Sequence, residues 1–112
     1  MRNLKLTLSY DGTDFNGWQT QPGYRTVEEA LETAISQVTG EEGIRVNAVR
    51  PGVIYTTIHA SGGEPNRVNR VKNSVPLKRG GHPEEVARAV LWLSSDESSY
   101  TTGAFIDVSG GR

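Results

Sequence analysis

The chain has 112 residues, a formal net charge of -1, 35% hydrophobic residues and no cysteine. This length suffices for one domain, which buries roughly 60–70% of its unfolded surface. The near-neutral charge excludes a strongly electrostatic surface for nucleic acid or membrane, and the absence of thiols excludes disulfide frameworks and zinc–thiolate sites. No apolar run approaches the ~20 residues of a membrane span, and the N-terminal residues lack the apolar core of a signal peptide, so we expect a cytoplasmic protein.

The first predicted element is a strand over residues 3–10, where three leucines alternate with polar residues. A loop of turn residues and aromatics follows the strand. A helix over 26–39 comes next, since Thr26 and Glu29 have the spacing of a capping box and Gly40 is suited to end a helix. The apolar residues of this helix recur at helical spacing on one face: Val27, Ala30, Leu31, Ala34, Ile35 and Val38.

The second predicted strand covers residues 44–49, where apolar and polar residues alternate, and Pro51–Gly52 ends it. Residues 54–75 are expected to form a partly helical lid. Between Arg67 and Arg79 the chain has five basic residues and no acidic one. We interpret these charges as a solvated face, with a phosphate-binding patch as the alternative.

A helix over 83–94 is predicted because Pro83 suits the first helical position and two glutamates follow it at the positive end of the helix dipole. The last strand covers 104–108. The alternation predicts the α/β class: a small domain of two or three layers, with a three-stranded, mainly parallel sheet in the order β-α-β-α-α-β and helices packed on it. The strand order stays open between 1-2-3 and 2-3-1.

The first forty residues contain two quite specific runs, Tyr-Asp-Gly-Thr over 10–13 and Gly-Trp-Gln-Thr-Gln over 17–21. With these runs, residues 1–40 resemble the N-terminus of the TruA-type tRNA pseudouridine synthases. The resemblance implies the first strand and helix of a ferredoxin-like half beside a tRNA cleft. The family's catalytic Arg-Thr-Asp-Ala-Gly-Val-His motif is absent, and Asp11 and Asp14 do not match the position of its nucleophile.

A longer series of motifs follows from residue 43 to the C-terminus. It comprises Gly-Ile-Arg-Val-Asn-Ala-Val-Arg-Pro-Gly over 43–52, Gly-Gly-His-Pro-Glu-Glu-Val-Ala over 80–87 and Ser-Tyr-Thr-Thr-Gly over 99–103. In these motifs residues 43–112 resemble the C-terminal third of the short-chain dehydrogenase/reductases. The resemblance implies that Ile54 touches the nicotinamide carboxamide and that Thr56 offers its hydroxyl to the cofactor.

The remaining signatures of that dehydrogenase family are missing from the sequence. No glycine-rich strand-to-helix turn is present to hold a pyrophosphate. No Tyr-x-x-x-Lys pair is present either, so a proton relay for hydride transfer is lacking. The fourth residue after each tyrosine (Tyr10, Tyr24, Tyr55 and Tyr100) is Asp14, Glu28, His59 and Ala104 respectively.

The leading hypothesis is therefore a single chimeric domain over 1–112, a recombinant of two enzyme fragments with no native catalytic function, no cofactor and no metal. A rare natural fusion is the alternative origin. One alternative function is a vestigial RNA-binding module, with Trp18 and Arg25 as stacking residues. The other is a remnant NAD(P)-binding fragment of an oxidoreductase, with Ile54 and Thr56 as its contacts.

The expected partner is a second copy of the chain, because three strands leave unpaired edges and the dehydrogenases use their last helix and strand in subunit contacts. The homodimer could exchange elements between its copies. Nucleic acid, membrane and a small-molecule substrate are not expected. Trp18 and Arg25, with their aromatic neighbours, are interpreted first as a plug for one end of the core. His82 is expected to serve helix entry, and His59 to be exposed to solvent.

Overall fold

The computed structural model describes residues 3–6 and 8–112, which contain both helices and strands. Two short 3-10 helices, Lys72–Ser74 and Asp96–Ser98, supplement the regular elements. The α/β class is confirmed, as are both long helices and the partly helical character of residues 54–75. In chain order the elements are α1 (Val27–Thr39), β1 (Ala48–Pro51), α2 (Ile58–Ser61), α3 (Arg67–Val71), α4 (Pro83–Leu93) and β2 (Phe105–Val108).

The sheet consists of two parallel strands in the described part of the chain, with Ala48 opposite Phe105 and Pro51 opposite Val108. The expected third strand is wrong, because residues 3–6 and 8–10 form no strand. Thr7, in the middle of that predicted strand, lies outside the described residues. Alternation supplies an apolar face, but a strand exists only where its backbone pairs with another. Unpaired, the three leucines of this segment stay exposed: Leu4 by 63%, Leu6 by 51% and Leu8 by 46%.

The strand predicted over 44–49 instead begins at Ala48 and includes Pro51. The cause lies in the hydrogen bonds of Val46. Its N–H donates to the hydroxyl of Thr102 at 3.1 Å, and its carbonyl accepts from the N–H of Gly103 at 2.8 Å, so its backbone is used outside the ladder. Proline is tolerated in a strand at the edge of a sheet, where its missing N–H is not needed for the ladder.

The described residues fall into two compact units. The first contains the residues up to Asn47 together with Tyr100–Ala104, and the second contains Ala48–Ser99 and Phe105–Arg112. The single domain over 1–112 stays a prediction. Within the described ranges, none of the helices combines the length and the apolar character that crossing a bilayer requires.

In the first unit α1 ends as predicted, on Gly40 with a left-handed φ of 70°. Its start differs, because the Thr26–Glu29 capping box does not form. The Thr26 hydroxyl is fully buried and has no hydrogen-bond partner within the described residues. The first N–H groups of the helix are instead satisfied by the preceding loop: that of Val27 donates to the carbonyl of Gly17 at 3.2 Å, and that of Glu28 to the carbonyl of Trp18 at 3.0 Å.

Glu28 also ties this unit together through its side chain, which is 2% exposed. One carboxylate oxygen accepts from the N–H of Thr20 at 2.8 Å, and the other accepts from the hydroxyl of Thr102 at 3.0 Å. A Cβ at Gly103 would lie 2.5 Å from this carboxylate, so only glycine fits there. A single buried acid thus joins the helix, the loop before it and the segment before β2.

The second unit has a small apolar core, in which Val75 is 1% exposed and Val68 is 4% exposed. A Cβ at Gly80 would lie 2.4 Å from a methyl carbon of Val68, so the backbone approaches this core closely. Pro83 occupies the first position of α4, as predicted, after the N-cap residue His82. The loop at 79–82, which precedes α4, therefore contacts the residues that follow β1.

Candidate functional site

The carboxyl ends of the two strands define one edge of the sheet. Because the strands are parallel, the chain leaves β1 at Gly52 and β2 at Ser109 on the same side. The N–H of Gly52 donates to the carbonyl of Val108 at 3.0 Å, and a Cβ at Gly52 would lie only 2.7 Å from the Cα of Ser109. Glycine therefore lets the two loops touch. In open α/β sheets, ligands bind in the crevice outside this edge.

The loop after β1 is held against Gly81. The N–H of Gly81 donates to the carbonyl of Val53 and the N–H of Tyr55 donates to the carbonyl of Gly81, both at 2.9 Å, which makes a parallel bridge centred on Ile54. The Ile54 side chain is 8% exposed. In a bridge of this kind the N–H and C=O of the central residue point away from the partner strand. Ile54 therefore buries its side chain and turns its own polar backbone groups away from Gly81.

The carbonyl of Ile54 has one partner on this other side, the Nε2 atom of His59 at 2.8 Å. The expectation that His59 is exposed to solvent is wrong, since its side chain is half-buried. The short helix α2 follows Ile54 closely enough to bring the ring back to it. Neither spacing nor periodicity indicates this contact; only the turn at 57–61 does. The N–H of Ile54 has no hydrogen-bond partner among the described residues.

Thr56 lies two residues further along the same loop and is exposed. Its hydroxyl oxygen accepts a long hydrogen bond of 3.3 Å from the N–H of Ile58. The hydroxyl proton is therefore available to an acceptor outside the loop. Ile54 and Thr56, the two contacts that the resemblance implies, thus lie on the loop that follows β1.

A groove of about 240 Å³ opens beside this loop, between Val53, the Gly80–Gly81 pair and the residues after β2. One wall carries an ion pair in which both terminal guanidinium nitrogens of Arg79 bind the carboxylate of Glu85, at 2.8 and 2.7 Å. The Arg79 hydrogen bonds and the N–H of His82, 2.8 Å away, lower the pKa of Glu85 to about 2. The ion pair thus fixes Arg79 against the first turn of α4, where it forms this wall of the groove.

The two residues considered for stacking on RNA lie in the first unit. The guanidinium of Arg25 sits 4.6 Å above the ring of Phe15, and Tyr10 meets that ring edge-on at 6.1 Å. Trp18 is half-buried beside the start of α1. The guanidinium face of Arg25 is thus already stacked within the chain.

The basic residues between positions 67 and 79 also have partners. Arg67 and Arg70 both bind the carboxylate of Glu64, at 3.1 and 2.7 Å, just outside the stretch without acidic residues. No group of three or more histidine, aspartate or glutamate side chains in the described part of the chain could hold a metal ion.

Comparison with known proteins defines the class to which this fold and site belong. A protein-family model described as "Enoyl-(Acyl carrier protein) reductase" matches residues 5–112. A crystal structure of a short-chain dehydrogenase/reductase, glucose/ribitol dehydrogenase, from Brucella melitensis superposes with a TM-score of 0.58 at 33% identity, over 76% of this chain and 34% of that one. The chain belongs to the short-chain dehydrogenase/reductase family.

Curated relatives include an uncharacterized oxidoreductase, YgfF, from Escherichia coli, 58% identical over 84 residues that make up 75% of this chain and 34% of the relative. The 3-oxoacyl-[acyl-carrier-protein] reductase FabG of Chlamydia trachomatis is 46% identical over 78 residues, 70% of this chain and 31% of that protein. The chain thus spans about a third of the length of the curated relatives it matches.

These matches correct the leading hypothesis from the sequence. The family match covers residues 5–112 and so includes residues 39–42, the place where the two enzyme fragments of the leading hypothesis would meet. The interpretation as a recombinant of unrelated enzymes without native function is therefore wrong. The findings agree better with the alternative of an NAD(P)-binding oxidoreductase fragment.

Proposed function

We propose that this chain forms the nicotinamide side of the cofactor site in a nicotinamide-dependent oxidoreductase. The observation that carries the proposal is the loop after β1, which leaves the carboxyl edge of a parallel sheet and turns the polar backbone groups of Ile54 outward. The oxidoreductase names of the relatives support the same class of reaction.

The chemistry of a carboxamide fits these groups. Its oxygen accepts one hydrogen bond or more and its amide nitrogen donates two. The Ile54 N–H can donate to that oxygen, and the Ile54 carbonyl has a second lone pair beyond the one used by His59. The hydroxyl of Thr56 can donate to a further oxygen of the nucleotide. The loop therefore offers a donor, an acceptor and a hydroxyl over three residues.

Hydride transfer is proposed for the whole oxidoreductase, not for these 112 residues alone. The sequence contains no Tyr-x-x-x-Lys pair, so the tyrosine acid and its lysine partner are not supplied by this chain. We expect the purified chain to bind the nicotinamide end of the cofactor without oxidising or reducing it. Oxidation of the reduced cofactor by the chain with a ketone would contradict this expectation.

Titration with nicotinamide mononucleotide, followed in amide spectra of the isotope-labelled chain, tests the proposed site. A fragment of this size on an open loop is expected to bind with a Kd on the order of 1 mM. Thr56→Val should weaken binding about threefold to tenfold, because it removes one hydrogen bond worth about 0.5–1.5 kcal/mol. Thr57→Val is the matched control, since the neighbouring hydroxyl makes no cap hydrogen bond, and it should bind as the unchanged chain does.

We further propose that the chain forms a homodimer through α4 and β2. Leu91 is 71% exposed, Trp92 38% and Phe105 41%, and all three belong to these elements. Exposed apolar side chains on neighbouring elements favour association with a second copy. Light scattering after size exclusion should give twice the chain mass at tens of micromolar, and Leu91→Glu should shift the chain to monomer. A monomer at every concentration would contradict the proposal.

A further inference from the structure

We propose that His59 is a positioning residue that fixes the peptide plane presenting the Ile54 carbonyl to the ligand. The proposal rests on the proposed nicotinamide site, because it assigns a role to a neighbour of that site. The contact that carries it is the 2.8 Å hydrogen bond between the Nε2 atom of His59 and the carbonyl oxygen of Ile54.

This hydrogen bond, which we call the clamp, acts on a single peptide unit. The carbonyl of Ile54 and the N–H of Tyr55 belong to the same planar peptide group. Tyr55 donates from one end of that plane to the carbonyl of Gly81 at 2.9 Å, and His59 binds the carbonyl at the other end. With both ends held, the plane cannot rotate about its flanking single bonds. The free lone pair of the Ile54 carbonyl therefore keeps one direction.

The preceding peptide unit is held from one end only. The carbonyl of Val53 accepts from the N–H of Gly81 at 2.9 Å, and this orients the N–H of Ile54 in the opposite direction. The donor of Ile54 is thus set by the strand-like bridge alone. Its acceptor depends on His59 as well, so loss of the ring should affect the acceptor first.

The contact also determines the tautomer of the ring. A carbonyl oxygen can only accept, so the Nε2 atom must carry the proton in this hydrogen bond. The Nδ1 atom of the neutral ring is then the unprotonated one. Helix α2 carries the ring, and its first turn is closed by the hydrogen bond from the Ala60 N–H to the carbonyl of Thr57 at 3.0 Å. The side chain therefore approaches Ile54 from a formed turn.

The first test needs no ligand and no variant. Nitrogen shifts of the neutral imidazole in the labelled chain should place the proton of His59 on Nε2. A second measurement compares His59→Leu with His59→Gln, whose terminal amide can still donate to the carbonyl. In His59→Leu we expect an altered carbonyl carbon shift at Ile54 and amide exchange at Tyr55 about threefold to tenfold faster, the factor that loss of one neutral hydrogen bond gives.

His59→Gln should restore both readouts. With nicotinamide mononucleotide, His59→Leu should raise the Kd by a similar factor. Unchanged carbonyl shift and exchange in His59→Leu, or a proton on Nδ1, would overturn the clamp. Tighter nucleotide binding by His59→Leu would also overturn it, since the ring would then compete for the carbonyl. If the unchanged chain binds no nucleotide, the proposed function fails, while the shift and exchange still decide the clamp.

Discussion

Gly52 shows how one residue sets the approach of two loops at the ligand edge of the sheet. Gly52→Ala should destabilise the chain by about 1–3 kcal/mol, because the new Cβ would lie 2.7 Å from the Cα of Ser109 and the backbones must separate. Urea unfolding measures the change. Gly62→Ala is the control, since a Cβ there meets only ordinary contacts at 3.7 Å, and equal losses in both variants would contradict the steric explanation.

At the same scale, the stability that the Arg79–Glu85 pair contributes depends on pH through the carboxyl group of Glu85. Its pKa lies at about 2 instead of the ordinary 4.5, first through the hydrogen bonds from Arg79 and then through that from the His82 N–H. A lowered pKa contributes stability that is present above pH 4.5 and is lost as the pH falls towards 2. Arg79→Gln should raise the pKa of Glu85 towards its ordinary value, which carboxyl carbon shifts measure against pH. An equal rise in the pKa of Glu85 in Arg88→Gln, which changes an exposed arginine of the same helix, would contradict the pairing.

At the scale of elements, α1 carries an acid whose pKa is raised by its surroundings. The pKa of Glu32 is raised above 4.5, first by burial and then by repulsion from the carboxylate of Glu28 one turn earlier, with a smaller contribution from Glu29. A raised carboxyl pKa contributes stability that is complete below pH 4.5 and is lost as the pH rises through the folded-state value.

Glu32→Gln should therefore increase the free energy of unfolding at neutral pH and leave it nearly unchanged in acid. Unfolding by urea at a series of pH values gives both numbers. Glu29→Gln, on the exposed side of the same helix, should change stability less. A loss of stability in Glu32→Gln at neutral pH would contradict the repulsion from Glu28.

The elements also show which structural features a sequence can predict. The bounds of α1 and α4 follow from helical periodicity, Pro83 and Gly40, because these are local signals. The capping box does not form, and carbonyls of the preceding loop accept from the N–H groups of Val27 and Glu28 instead. The strand over 3–10 fails for a related reason: its pattern is local, but a ladder needs a partner that the pattern cannot supply.

At the scale of the whole molecule, the long series of motifs from residue 43 onward predicts the family correctly. The strand within this series lies at Ala48–Pro51 rather than at 44–49. The resemblance of residues 1–40 to a synthase rested on two short runs of turn and aromatic residues. Such residues suit many loops that precede a helix. The role of His59 could not be predicted, because its contact depends on the turn that brings the ring back.

One measurement tests the central claim, that the loop after β1 receives the nicotinamide end of the cofactor. Amide spectra of the labelled chain are recorded with nicotinamide mononucleotide and, separately, with adenosine monophosphate at equal concentration. We predict that the nicotinamide nucleotide shifts the amides of Ile54 and Thr56 in a saturable manner, while the adenine nucleotide leaves them unchanged. Unmoved amides at both residues, or equal shifts with both nucleotides, would contradict the claim.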